Sequence, residues 1–280
     1  MLKLCNLFSG STGNCTFIGT NQVKILVDAG VCARSIERAL REIGESPEDI
    51  DAILVTHEHS DHIKGIGVLA RRYGMKIFAN SPTWNAMEPA IGQYREDQRM
   101  EFSRGEGVFS LGDLEVRAFS IPHDAAAPVG YTFTGLSGRA KAAVATDIGH
   151  ITDNIRDNIL GSDAVLLESN HDPVMLKNGP YPPMLQARIR GKNGHLNNFE
   201  CGKMAVELAA SGTGSLILGH LSLHNNTPSL AFQTVRASLS EAGLNVIEPS
   251  DADEPLLRSK GTSLSLSVAS PVRHSTVVLL

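Results

Sequence analysis

Four residues of metal-binding type, His57, His59, Asp61 and His62, lie within six positions directly after the apolar run Ala52-Ile53-Leu54-Val55. A short apolar run of this kind reads as a buried strand, which places the cluster where the strand ends and the chain turns into a loop. There, side chains two apart can converge on one ion while the next pair turns to a neighbouring one. Imidazole and carboxylate suit divalent zinc, manganese or iron, and the missing thiolate excludes a Cys-rich structural zinc site. The four cysteines, Cys5, Cys15, Cys32 and Cys201, show no Cys-x-x-Cys spacing. They read as small buried apolar residues in a reducing compartment.

A centre of this kind needs further ligands, and the same local pattern recurs. His123 follows a predicted strand at 114–119, Asp147 one at 141–145, and His220 one at 215–218. Each candidate stands at the carboxyl end of an apolar strand, where several strand ends can face one cleft.

The rest of the chain supports a two-sheet architecture. Apolar stretches at 2–8, 15–19 and 24–27, separated by Ser/Gly/Asn turns, predict a β-meander. Further strands are expected at 52–55, 76–79, 129–134, 163–168 and 244–247. Helices are expected at 32–43, 64–73, from Ser81-Pro82 onward, 152–160, 182–190, 199–210 and 228–242. Strands followed by helices, twice over, predict a mixed α/β (α+β) fold of two sheets packed face to face with helices outside. One domain is expected over residues 1–250, with 251–280 a tail that the pattern does not place. The net charge of −5 argues against nucleic-acid binding through overall positive charge. No apolar run approaches the ~18 residues of a membrane span and no secretory leader is evident. The expectation is a cytoplasmic protein with no membrane partner, its oligomeric state left open.

His-x-His-x-Asp-His followed by His123, Asp147 and His220 resembles the metallo-β-lactamase fold superfamily. The opening Phe8-Ser9-Gly10-Ser11-Thr12-Gly13-Asn14-Cys15, the run Glu168-Ser169-Asn170-His171-Asp172, Tyr181-Pro182 and Gly219-His220-Leu221-Ser222 resemble more narrowly its YycJ/WalJ-like exonuclease branch. The resemblance spans about residues 1–250. It implies an αββα four-layer sandwich, a dinuclear centre, and exonuclease action on DNA from the 5′ end. By that resemblance one metal takes His57, His59 and His123, the other takes Asp61, His62 and His220, and Asp147 bridges them. Asp28 would be a carboxylate that orients a ligand histidine. Where the branch pattern would put Ser, position 197 is Asn. Asp147 leads straight on to the next helix and strand, leaving no room for the inserted domain of ribonuclease J-like relatives.

The chemistry expected is phosphodiester hydrolysis with a metal-bridging hydroxide as nucleophile and two Zn²⁺ or Mn²⁺ ions, or iron, as cofactors. Asp61 is expected to orient the nucleophile. His195 is favoured over His171 and His224 to protonate the leaving oxygen. The turn bearing Ser9, Ser11, Thr12 and Asn14 is expected to meet phosphate oxygens through backbone N–H groups and hydroxyls. Arg188, Arg190 and Lys192, just before His195, would line a nucleic-acid backbone, DNA ahead of RNA. The second reading is a metal-dependent esterase, a thioesterase or lactonase, on the same centre. A third is a metal-stabilised binding module. Fold alone does not separate these.

Overall fold

Residues of the central strands point alternately into two different cores, which is what makes the molecule four layers deep. The computed structural model describes residues 1–103, 106–136, 140–249, 256–257 and 263–280. The first half supplies β1 (Lys3–Phe8), β2 (Cys15–Gly19), β3 (Lys24–Val27), β4 (Ala52–Leu54), β5 (Lys76–Asn80) and β6 (Arg99–Phe102). Its helices are α1 (Ala33–Glu42), α2 (Ser60–Ile63), α3 (Ile66–Tyr73) and α4 (Ser81–Ile91). The second half supplies β7 (Gly107–Leu111), β8 (Leu114–Ser120), β9 (Val129–Gly135), β10 (Lys141–Ala145), β11 (Ala164–Glu168), β12 (Ser215–Gly219) and β13 (Asn245–Ile247). With these run α5 (Asp153–Ile159), α6 (Pro173–Asn178), α7 (Pro183–Ile189), α8 (Asn198–Ala210) and α9 (Pro228–Glu241). Three late strands follow: β14 (Leu256–Leu257), β15 (Ser263–Val268) and β16 (Val278–Leu279).

One sheet has the order β14-β16-β1-β2-β3-β4-β5-β6, the other β13-β15-β12-β11-β10-β9-β8-β7. The expected meander is present, with β1, β2 and β3 antiparallel. From β3 to β6 and from β10 to β12 the pairing is parallel. Parallel neighbours bring their carboxyl ends to the same edge, which gathers the loops that carry the candidate ligands. Ile25 and Val27 of β3 face the inter-sheet core with Val144 of β10 and Leu166 of β11. Leu26 faces the other way, under α1, α3 and α4 with Ile36, Leu69 and Trp84. Val165 and Leu167 turn outward beneath α8 and α9, against Met204, Leu208 and Val235. This is the αββα sandwich.

Some elements depart from the sequence reading. The helix expected at 64–73 begins at Ile66, after the short α2, and at the junction Gly65 packs on the backbone of Val31, where a Cβ would lie 2.5 Å from the Val31 carbonyl oxygen. Strands β6 and β7, which the sequence reading did not include, form an outer edge of each sheet. The segment 263–280, which the sequence pattern does not place, adds β15 beside β12 and sets β16 against β1. Cys5, Cys15 and Cys201 are buried as expected, whereas Cys32 is exposed at the start of α1 beside Ser35. Among the described residues no helix is long and apolar enough to cross a membrane.

Candidate metal centre

Asp28, Asp147 and His220 follow the ends of β3, β10 and β12, and all three have left-handed backbones, with φ of 60°, 62° and 54°. For a residue with a Cβ this conformation costs roughly 1–2 kcal/mol, Asp tolerating it better than His. Their side chains leave the strand line and enter one space between the two sheets' carboxyl ends. His57 to His62 reach that space from the end of β4 through α2, and His123 comes from the loop after β8.

Four overlapping groups of ligand-type atoms form there, each with its atoms within 4.8 Å of one another: His57, His59 and His123; Asp61, His62 and His220; His57, His62 and Asp147; and Asp147, Glu168, His195 and His220. Asp147 lies between the first two. Its Oδ2 is 3.4 Å from His62 Nε2, and its Oδ1 is 3.4 Å from His220 Nδ1 and 3.8 Å from His123 Nε2. The sequence-predicted ligands are thus brought together in one space, where His57, His62, Asp147 and His220 each belong to two of the groups.

Each ring is aimed by what its other nitrogen does. His62 Nδ1 donates to Asp28 Oδ2 at 2.8 Å, and Asp28 also accepts from the Thr56 amide and hydroxyl. The same Thr56 hydroxyl stands 3.0 Å from His57 Nδ1. His123 Nδ1 donates to the Gly194 carbonyl at 3.1 Å. Holding Nδ1–H on an acceptor leaves the Nε2 lone pair facing the centre. Consistent with that, His123 Nε2, His220 Nε2 and Asp147 Oδ2 are buried and without a hydrogen-bond partner. Leaving such atoms unpaired in the interior is costly, and bound cations would satisfy them.

Glu168, at the end of β11, is fully buried and was not singled out from the sequence as a site residue. Its Oε1 accepts from Nδ1 of both His195 and His220 at 2.8 Å, and its Oε2 accepts the amides of Ile148 and Leu196. One carboxylate therefore sets the orientation of a candidate ligand and of the candidate acid. The available signal was its position at a strand's carboxyl end, the same signal that marked Asp147.

Electrostatically the centre is a carboxylate nest. Burial alone would raise Asp61 and Glu168, but the surrounding histidines outweigh it and hold both well below the carboxylate range. Burial opposes charge on His62, yet Asp147, Asp28 and Asp61 raise it to about 9, and Asp147 with its neighbours likewise raises His220. His57, which lacks such partners, is driven down by burial and by the adjacent histidines. Two protons thus occupy positions where divalent cations would compensate the same carboxylates. The donor set and its orphaned atoms fit two such ions.

A cleft of about 280 Å³ opens over the centre, lined by His59, Asp61, His123, Asp147, His195 and His220. His195 is partly exposed to it. His171, an alternative acid, is buried away from the lining, and burial lowers it to about 4. His224 stacks edge-on against Tyr181. In the early turn, Ser11 lines the cleft and Thr12 is exposed outside the lining. Ser9 is buried, its hydroxyl accepting the His220 amide, and Asn14 ties Gly10 to the Asp61 carbonyl. Of the three cations only Arg188 lines the cleft, paired with Asp124, while Arg190 and Lys192 are exposed elsewhere. Asn197 caps α8 by accepting from Phe199 and Glu200, the task a Ser at that position would perform. Behind the centre, buried Asn198 and Asn226 bond each other and the 169–170 backbone, joining three loops.

The pattern of the family described as Beta-lactamase superfamily domain matches residues 23–221. Exodeoxyribonuclease YycJ of Bacillus anthracis is 43% identical over 242 residues, 86% of this chain and 90% of that protein. Exodeoxyribonuclease WalJ of Streptococcus pneumoniae is 40% identical over 246 residues, 87% of this chain and 90% of that protein. Among solved structures, zinc-bound PqqB from Methylobacterium extorquens aligns over 98% of this chain and 99% of its own, with TM-score 0.68 and 14% identity. YhfI from Bacillus subtilis aligns over the same shares with TM-score 0.65 and 15% identity. These two likenesses concern the fold alone.

Proposed function

The chain belongs to the metallo-β-lactamase superfamily and is a metal-dependent hydrolase, and from this we propose that it is a dinuclear phosphodiesterase removing nucleotides from the 5′ end of DNA. Its likeness along most of its length to proteins named exodeoxyribonucleases carries the reading. The converging ligand atoms and the orphaned His123, Asp147 and His220 atoms support it.

His57, His59 and His123 would hold one divalent cation, and Asp61, His62 and His220 the other, with Asp147 shared. When bound, the ions supply Lewis acidity toward phosphoryl oxygen and toward water. The protein's own groups do the remainder. Asp61, partly exposed in the cleft, would accept a hydrogen bond from an attacking water and fix its direction. His195 gives Nδ1–H to Glu168, so that in its protonated form Nε2–H is left to donate to the departing oxygen. Asp28 and Thr56 keep His62 and His57 in one tautomer through the cycle.

The deciding experiment incubates purified protein with manganese or zinc and 5′-phosphorylated single-stranded DNA, RNA of the same sequence, and a generic thioester. The expected result is mononucleotide release from DNA and little from the thioester. Efficient thioester hydrolysis with both nucleic acids intact would make the chain an esterase.

A further inference from the structure

Among the described helices, α7 is alone in burying no side chain. It stands over the cleft instead of packing into the sandwich. Its anchors are few: the Arg188–Asp124 ion pair, the His195 amide on the Ile189 carbonyl at 2.9 Å, and the Gln186 side chain on the Tyr181 carbonyl at 2.9 Å. Leu185, Arg188 and Ile189 line the cleft, a spacing that puts them on one helical face, and Tyr181 continues that wall just before the helix begins. The Tyr181 ring is propped by the His224 ring, with centroids 5.7 Å apart and planes at 73°. Its hydroxyl has no hydrogen-bond partner among the described residues. The result is an aromatic and aliphatic wall sharing one cleft with His59, Asp61, His123, Asp147, His195 and His220.

Charges and cations serve a phosphate. They have no use for a flat apolar wall. The apolar part of a phosphodiester substrate that fits one is the nucleobase, whose face stacks on an aromatic ring whatever its sequence. We propose that Tyr181, backed by Leu185, is a stacking platform for the nucleobase beside the scissile phosphate, which makes a single-stranded end with its base in place the preferred substrate. This rests on the nuclease reading and adds to it the part of the nucleotide that is recognised.

The test uses wild type, Tyr181→Ala, Tyr181→Phe and Leu185→Ala with manganese. The substrates are 5′-phosphorylated single-stranded oligodeoxynucleotides that are intact or carry an abasic analogue at the first or second position. Removing the base at one of these positions should lower wild-type kcat/KM about 10- to 100-fold, the range expected of one lost stack. Tyr181→Ala should abolish that preference for a base, Leu185→Ala should weaken it, and Tyr181→Phe, which keeps the ring, should retain it. If the Ala variant at 181 is poorly folded, the Leu185 variant carries the comparison. A wild type that cleaves intact and abasic oligonucleotides equally, or a penalty that persists in both Ala variants, overturns the platform and leaves the nuclease reading standing. A wild type that cleaves none of them overturns both.

Discussion

The backbone N–H of His220 donates to the hydroxyl of Ser9 at 2.7 Å, joining residues 211 positions apart from opposite sheets. Ser9 belongs to the turn expected to meet phosphate, yet its oxygen is engaged in holding a candidate ligand loop.

Ser9→Ala should therefore act as a structural lesion of the second metal position. An unpaired buried N–H costs about 1–3 kcal/mol. Thermal unfolding should fall accordingly and metal content at the Asp61/His62/His220 position should drop, with Ser11→Ala sparing both. Unchanged melting and unchanged metal in Ser9→Ala would return Ser9 to a purely substrate-facing role.

Glu168→Gln should impair two functions at once. A neutral amide cannot accept from both His195 and His220 while also accepting the Ile148 and Leu196 amides. Losing a group that orients a ligand typically costs 10- to 100-fold in metal affinity or activity. Competition with a chelator and single-turnover rates, measured on correctly folded variant, would show both losses. Loss of rate with intact metal affinity would confine Glu168 to the acid.

Metal-free and metal-loaded protein should respond oppositely to pH. In the folded, metal-free chain His62 keeps its proton up to about 9, against a reference value of 6.5. The stability this proton confers is complete below about 6.5 and is lost as pH rises toward 9. Cations compete with that proton, so their affinity should grow over the same interval. Unfolding midpoints of chelator-treated protein should fall between pH 6.5 and 9, and those of manganese-loaded protein should hold or rise. Two parallel curves would contradict cation occupancy at His62.

Arg188 and His195 should separate binding from chemistry. Neutralising Arg188 should raise the apparent Kd for single-stranded DNA and flatten its log-log salt slope by about 0.7, the share of one phosphate contact. A drop of two such steps when Arg190 and Lys192 are also neutralised would extend the backbone path to them. His195→Ala should slow DNA turnover about 100-fold or more, and the loss should shrink on a nitrophenyl phosphodiester, whose leaving group hardly needs a proton. Equal losses on both would leave His195 a positioning residue.

The candidate ligands were legible because each is a chemically loud residue at the end of a quiet apolar strand. Glu168 satisfied the same rule, but its importance depends on β11 lying between β10 and β12, and sheet order is not written in local pattern. The run Ser263-Leu264-Ser265-Leu266-Ser267-Val268 does alternate with period two. The sequence reading left it unplaced, and only pairing with β12 and burial of Leu264 and Leu266 under the outer helices make it a strand. Arg188, Arg190 and Lys192 looked alike in sequence. The turn of α7 alone distinguishes the one that lines the cleft.

The left-handed backbones of Asp28, Asp147 and His220 make stability and function pull apart at three particular codons. Glycine or asparagine relaxes such a backbone and so suits the fold better there than histidine does. A library of this gene screened only for soluble, folded protein should accumulate those replacements at His220 first, because histidine gains least from local hydrogen bonding in that conformation. Relieved of any demand for activity, the chain should therefore lose these three residues sooner than it loses its core.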